Sequence, residues 1–150
     1  MTRIADIAYA AGLFDGEGTV RVRKALSIEI AVSGNHMPMH AWLQSIFGGS
    51  VSSGGRVHYA GEVMSDGRVV QTDSVQEWKW RLNGQRAIDF LELVEPFLIE
   101  KRHQSALITA NRWLWPEKPI KVTDEVRENR TMIRNDLIAI RKDNGGMDAQ

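Results

Sequence analysis

The chain has 150 residues, no cysteine, and 19 Lys and Arg against 19 Asp and Glu, so its formal net charge is zero. This length suits one domain rather than two, and we expect that domain to span residues 1–150. The lack of cysteine excludes disulfide scaffolds and thiolate metal sites, and no apolar run is long enough to span a bilayer. With no targeting signal legible, we expect a cytoplasmic protein, or one encoded by an organelle or a phage, that binds no membrane.

Residues 4–14 are nearly all apolar or small and predict a short buried helix that ends before two glycines. Four small or acidic residues, spaced i, i+3, i+4 and i+7, share one stripe of this helix: Ala8, Ala11, Gly12 and Asp15. Small side chains let another backbone approach closely. The stripe therefore packs either against the chain's own core or against a second helix.

Two strand pairs with a helix between them follow along the chain. Residues 19–23 and 28–33 alternate apolar and polar side chains and predict a hairpin. A helix begins near Pro38 and runs to Phe47. Residues 51–60 and 69–82 predict a second hairpin, joined by a turn of Ser, Asp and Gly.

Helices make up the rest of the chain. Helical spacing of apolar residues predicts helices over 86–94 and 99–114. Residues 116–150 predict a proline-containing connector and a last helix from Thr123 to about Arg141. The whole order shows no strand-helix-strand alternation, so it predicts an α+β fold with an antiparallel sheet backed by helices.

The predicted sheet separates charges that are balanced over the whole chain. Its strand residues opposite the apolar face include four cations: Arg21, Arg23, Lys79 and Arg81. Segregated positive charge is the electrostatic signature of a nucleic-acid-binding surface. A β-ribbon also fits the DNA major groove, so we expect these four side chains to contact DNA.

The turn Asp15-Gly16-Glu17-Gly18 is the main candidate for chemistry. A carboxylate just beyond a helix C-terminus is disfavoured unless a cation compensates it. If two such helices pack about a twofold axis, two Glu17 carboxylates and the adjacent carbonyls converge on a site that suits Mg²⁺. An ordinary glycine-rich helix end remains the alternative, whereas an EF-hand is excluded because residues 19–28 contain no acid.

The nonapeptide Ala10-Ala11-Gly12-Leu13-Phe14-Asp15-Gly16-Glu17-Gly18 resembles the motif of the LAGLIDADG homing endonucleases. Further agreements follow in the family's order: Ile46 to Val51, Trp78 to Leu82, and Pro96 to Leu98 before Lys101. The resemblance spans roughly residues 5–115. Four positions depart from the usual motif, namely Ala10, Phe14, Gly16 and Glu17, of which Glu17 is one methylene longer than the more familiar Asp.

This resemblance implies an αββαββα core with a saddle-shaped sheet, and a single motif implies a homodimer. It implies a site-specific endonuclease that hydrolyses phosphodiester bonds of double-stranded DNA at a long pseudo-palindromic target. Mg²⁺ would be the cofactor, with Mn²⁺ or Ca²⁺ able to replace it in binding, and no small-molecule cofactor is implied.

The resemblance also assigns roles to individual residues. Glu17 and the Gly16 carbonyl would bind the metal, Lys101 and Gln104 would act in catalysis, and the helix stripe would form the dimer interface. Ser33 and Asn35 lie near the position where the family often has a polar residue that contacts the solvent shell of the metals, and they are expected to contact DNA as well. Further DNA contacts are expected from two more arginines: Arg56 and Arg68.

Two other classes of function compete with an endonuclease. One is a DNA- or RNA-binding protein of the same fold that no longer cuts, such as a regulator or an intron maturase. The other is a plain structural or protein-interaction domain, which leaves the strand arginines unexplained. His36 and His40 have helical zinc-ligand spacing, but Pro38 between them favours a helix start, and no third ligand is evident.

Overall fold

The computed structural model describes residues 2–148, and the side chains of residues 2–143. Within this range nine helices and strands follow one another in the predicted order: α1 (Ile4–Glu17), β1 (Gly18–Val22), β2 (Ile28–Gly34), α2 (Met37–Phe47), β3 (Ser50–Ser53), β4 (Trp78–Asn83), α3 (Gln85–Val94), α4 (Arg102–Thr109) and α5 (Asp124–Asp148). Short 3-10 turns cover Glu95–Phe97 and Arg112–Leu114. Residues 1, 149 and 150 of the predicted domain lie outside the described residues.

The four strands form one antiparallel sheet in the order β1-β2-β4-β3. In its register Val20 lies opposite Ile30, and Ile30 lies opposite Leu82. All three side chains are buried on the face that the helices cover. The structure thus confirms the predicted α+β class with an antiparallel sheet backed by helices.

An aromatic cluster fixes the first and third helices against this sheet. The ring of Phe90 in α3 lies 5.5 Å from Phe14 in α1, 5.2 Å from Trp80 in β4 and 5.0 Å from Phe47 in α2, each edge to face. Such pairs contribute about 0.5–1.5 kcal/mol each beyond the burial of their surface. Because Phe14 lies less than one turn before Glu17, the cluster also sets where the end of α1 stands over the sheet.

The C-terminal helix packs on the core through Ile133 and Leu137, both buried. The Arg130 guanidinium donates to the Leu114 carbonyl oxygen at 2.6 and 2.9 Å, which ties α5 to the connector. The Thr123 hydroxyl accepts the Val126 N–H at 3.2 Å, as expected of the predicted helix start. Helix α5 continues to Asp148, beyond the predicted end near residue 141. No described helix is both long and apolar enough for a membrane span.

The predicted second hairpin is wrong over most of its length. Residues 54–77 form a long loop with one isolated bridge, between Val63 and Val69, across the predicted turn. Both valines and Val75 are more than half exposed, so no core stabilises a longer ladder here. The predicted helix over 99–114 is likewise shorter, because it begins only at Arg102 and gives way to a 3-10 turn.

Gly49 allows β4 to pass close to the end of α2. Its φ is +88°, and a Cβ built on it would lie 2.3 Å from the Arg81 carbonyl oxygen. The adjacent Gly48 carbonyl accepts the Trp80 indole N–H at 2.8 Å. These contacts hold the helix end against the strand that carries Lys79 and Arg81.

We expect Gly49→Ala to destabilise the fold more than Gly67→Ala. Gly67 has nearly the same φ, +87°, but open space around its Cβ position. Backbone strain should cost about 1–2 kcal/mol at either site, and the clash with β4 about 1–3 kcal/mol more at Gly49. Urea unfolding of both variants measures the difference. Equal losses would contradict the close approach of β4 to Gly49.

Candidate active site and nucleic-acid interface

Glu17 is the last residue of α1 and its side chain is exposed. The chain enters β1 at once, because the Gly18 N–H bonds to the Phe14 carbonyl oxygen and a Cβ on Gly18 would overlap the Phe14 ring at 2.3 Å. Gly18 pairs with Val32 in the sheet, so Glu17 stands beside the end of β2. Glu17 lines a groove at this place, which we call the Glu17 groove. Its lining residues are Glu17, Ser33, Gly34, Asn35, His36, Met39, His40, Val75 and Glu77.

The Glu17 groove unites three residues that the sequence placed in separate elements. Ser33 and Asn35, predicted near the metals, line it together with Glu17. Sequence reasoning missed Glu77, a second carboxylate in the same lining, because the loop before β4 was predicted as strand. Within residues 2–143, no three His, Asp or Glu side chains come close enough to form a complete metal site by themselves.

Asp15 joins the end of α1 to the segment before α4. Its carboxylate accepts the backbone N–H groups of Ile99 at 2.8 Å and Lys101 at 3.0 Å. The side chain therefore turns toward its own chain, where it satisfies two donors that precede α4. This cap takes the Asp15 carboxylate out of the predicted dimer stripe.

Lys101 lies at the same helix end. Its Nζ donates to the Asp15 carbonyl oxygen at 2.5 Å, one of the carbonyls in the last turn of α1 that has no helical partner. Burial lowers the pKa of the Lys101 ammonium below its ordinary value of 10.5, against opposing effects of Asp15, Glu100 and Glu17. Lys101 is thus the cation that compensates the negative end of α1 beside Glu17.

The other predicted catalytic residue is Gln104, one helical turn after Lys101. It is on α4 and buried, with no described hydrogen bond to Glu17 or Lys101. His40, also buried, uses Nδ1 to bond the His36 carbonyl oxygen at 2.9 Å, so this pair forms a local link at the start of α2. The zinc-like spacing of the two histidines has this structural explanation.

The predicted dimer stripe only partly coincides with the exposed face of α1. Ala11 is fully buried in the chain's own core, so it is not available to a second chain, which corrects its assignment. Gly12 is exposed and, like Gly16, has no atom within 4 Å of a built Cβ. Ala8 is half-buried beside them. The open stripe thus runs over Ala8, Gly12 and Gly16 rather than through Ala11 and Asp15.

The basic face of the sheet contains a buried acid that the sequence analysis missed. Glu29 lies opposite Arg21 in the β1-β2 register and is only 3% exposed. Its carboxylate accepts the Arg21 Nε–H at 2.6 Å and lies 3.6 Å from Arg23 Nη1. One carboxylate therefore holds both guanidiniums at the sheet surface, where each remains about half exposed.

The remaining predicted DNA contacts fall into two groups. Lys79 and Arg81 project from β4 on the same face as Glu29, and Arg81 Nε is buried without a hydrogen-bond partner among the described residues. Arg56 and Arg68 lie in the loop instead. There each pairs with a local acid, Arg56 with Glu62 at 2.5 Å and Arg68 with Asp66 at 2.6 Å, so neither arginine is an unpaired cation.

Comparisons with known proteins identify the fold. No family model and no curated protein matches the sequence. Among solved structures, the chain is similar to the homing endonuclease I-CvuI in complex with its target in the presence of 2 mM Ca. The TM-score is 0.65 at 16% sequence identity, and the match covers 91% of this chain and 82% of that chain. I-CvuI in complex with the I-CreI target and 2 mM Mg, with DNA not cleaved, gives a TM-score of 0.63, 17% identity and the same coverage.

The structure thus defines an α+β protein in which a helix ending in a carboxylate stands over an antiparallel sheet with a basic face. This is the fold of a homing endonuclease. The resemblance to the LAGLIDADG homing endonucleases that the nonapeptide indicated is confirmed at the level of the fold.

We expect Asp15→Ala to destabilise the protein by about 2–4 kcal/mol, because two backbone donors lose a charged acceptor. Asp6→Ala on the same helix is the matched control. Asp6 forms one exposed pair with Arg3 at 3.4 Å, so its loss should cost less than about 1 kcal/mol. Chemical denaturation of both variants tests this. Similar losses would show that the Asp15 cap contributes no special stability.

Proposed function

We propose that this chain is a metal-dependent endonuclease that cuts double-stranded DNA as a homodimer at a long pseudo-palindromic site. The observation that carries the proposal is the position of Glu17. Its exposed carboxylate ends α1 beside the basic face of the sheet, and Lys101 is bound to the same helix end. The fold supports the proposal, since it is shared with I-CvuI, a homing endonuclease solved with its target.

The donors at this end of α1 fit a hard divalent cation. Glu17 offers an exposed carboxylate, and the exposed Gly16 can offer its carbonyl oxygen. Oxygen donors with one or two carboxylates are what Mg²⁺ prefers, and Mn²⁺ or Ca²⁺ share that preference. A bound Mg²⁺ would supply Lewis acidity toward the phosphate and lower the pKa of a bound water.

The chain's own residues divide the remaining work. Lys101 places a positive charge beside Glu17, where it can stabilise negative charge that develops on the phosphate. Ser33 and Asn35, which line the Glu17 groove with Glu17, offer a hydroxyl and an amide to orient water. Arg21, Arg23, Lys79 and Arg81 bind and orient the duplex along the sheet.

A homodimer would bring two such helix ends together. The open stripe of Ala8, Gly12 and Gly16 lets a second α1 approach closely about a twofold axis. Each chain then contributes one Glu17 to a shared centre, and two sheets extend in opposite directions from it. This symmetry is why we propose a long, imperfectly palindromic target.

A second candidate function is a DNA- or RNA-binding protein of this fold that does not cut. One observation favours it: Lys101 has a structural role as a cap for α1, so its presence does not by itself require catalysis. Glu17 has no such structural partner among the described hydrogen bonds and ion pairs. Glu17 is therefore the residue that separates the two candidates.

The proposal predicts that Glu17→Gln loses at least about 100-fold of Mg²⁺-dependent cleavage while duplex binding persists, since the change removes a metal ligand. Cleavage is measured by sequencing the cut ends from a randomised duplex library. Glu77→Gln, in the same groove, is the matched control and should retain cleavage. The mass of the protein–DNA complex, measured by light scattering, should correspond to two chains per duplex.

Three outcomes would count against this proposal. Cleavage that persists in Glu17→Gln and is lost in Glu77→Gln would place the metal on the other carboxylate. Binding by the wild type without any cutting would favour the second candidate function. A complex with one chain per duplex would remove the proposed role of the open stripe.

We expect cleavage to fall at high pH as Lys101 loses its proton. Its pKa is lowered by burial, so the charge is present at neutral pH and is lost as pH rises through a value below 10.5. Lys101→Arg keeps its charge, because a guanidinium does not deprotonate in this range. The ratio of the variant's single-turnover rate to the wild-type rate should therefore rise from neutral pH toward pH 10.5. Lys121→Arg is the control, and a ratio that stays constant for Lys101→Arg would exclude a charged role for Lys101.

A further inference from the structure

A second groove lies between the turn joining β1 to β2 and the helix α5. Five cationic side chains line it: Arg21, Arg23, Lys24, Arg134 and Arg141. Its other lining residues are apolar or uncharged, and no acid is among them. We call it the α5 groove. Its position is away from the Glu17 groove, with which it shares no lining residue.

The sequence of α5 separates its charges onto two faces. Arg127, Arg134 and Arg141 are spaced by seven residues, which is close to two helical turns, so they follow one face. Asp136 and Asp143 have the same spacing but lie two residues after Arg134 and Arg141, which places them on the opposite face. Arg134 and Arg141 therefore line the groove, whereas Asp136 and Asp143 lie on the opposite face of α5.

Internal ion pairs leave most of this positive charge unbalanced. Glu29 pairs with Arg21 and Arg23, so five cations minus one carboxylate leave a net charge of +4. Lys24, Arg134 and Arg141 have no ion-pair partner among the described residues. A polyanion would supply acceptors for these three side chains.

We propose that the α5 groove binds phosphates of the DNA backbone outside the segment that lies on the sheet. This inference rests on the proposed function, because it takes duplex DNA as the partner. Arg21 and Arg23 belong both to the basic face of the sheet and to this groove, so one DNA backbone can continue from the first surface into the second. Phosphate contacts of this kind position a duplex without reading its sequence, and they make binding salt-dependent.

The test compares two double variants with equal loss of charge. Arg134→Gln with Arg141→Gln removes two groove cations, whereas Lys118→Gln with Lys121→Gln removes two exposed cations of the connector. Binding of a random-sequence duplex several helical turns long is measured without divalent metal over a range of salt. The groove variant should bind about tenfold more weakly than the wild type, with a salt dependence reduced by about 0.9 per lost phosphate contact. The connector variant should match the wild type.

The single variant Arg141→Gln controls for a folding defect in the double variant, because Arg141 is exposed while Arg134 is half-buried. Its thermal unfolding should be unchanged and its salt dependence reduced by about half as much as in the double variant. If the wild type binds duplex and the groove and connector variants bind equally well, the α5 groove is not a phosphate site, although the proposed function stands. If the wild type binds polyglutamate but not duplex, both the groove assignment and the proposed function are overturned.

Discussion

The link between Asp15 and the segment before α4 determines how the candidate site is built. The Asp15 carboxylate binds two backbone N–H groups of that segment, and Lys101 returns a hydrogen bond to the Asp15 carbonyl oxygen. These three bonds join residues about 85 positions apart in the chain, as the separations of 84 and 86 show. They place a cation against the negative end of α1, which lowers the electrostatic cost of exposing Glu17 there. Without Lys101, the carboxylate and the helix dipole would repel each other.

The basic face of the sheet follows a related rule, in which an acid holds cations in place. Glu29 neutralises part of the charge of Arg21 and Arg23, yet it also fixes two long side chains that would otherwise lose rotamer entropy on binding. A guanidinium held by one carboxylate still has donors left for phosphate or for a guanine edge. Such a surface gains less long-range attraction than a purely basic one. It gains preorganisation instead, which reduces the entropic cost of association.

Short-range patterns in the sequence predicted much of the fold but only part of the candidate site. The alternation around Val20, the proline at the start of α2 and the Thr123 cap are signals within a few residues, and they predicted α1 to β2, α2 and the start of α5. Residues 54–77 were mispredicted because valines in an alternating pattern indicate a strand only when a core covers them, and Val63, Val69 and Val75 remain exposed. Long-range contacts could not be predicted from the sequence, because no residue near Asp15 indicates that its carboxylate binds the backbone of Ile99 and Lys101. The pairing of Glu29 with Arg21 could have been predicted, because a hairpin centred near Ala25 places the two residues opposite each other.

Net neutrality is compatible with binding a polyanion because the acids of this chain are not placed at random. Asp15 and Glu29 are bound to backbone donors or guanidiniums, and two acids of the loop, Glu62 and Asp66, pair with Arg56 and Arg68. On α5 the aspartates turn away from the α5 groove. Around the candidate site, the unpaired charges are positive along the sheet and the α5 groove, and negative at Glu17 and Glu77 in the Glu17 groove. A duplex attracted to the sheet and the α5 groove would bring its phosphates toward the Glu17 carboxylate, which repels them. Close approach therefore requires a cation between the phosphates and Glu17.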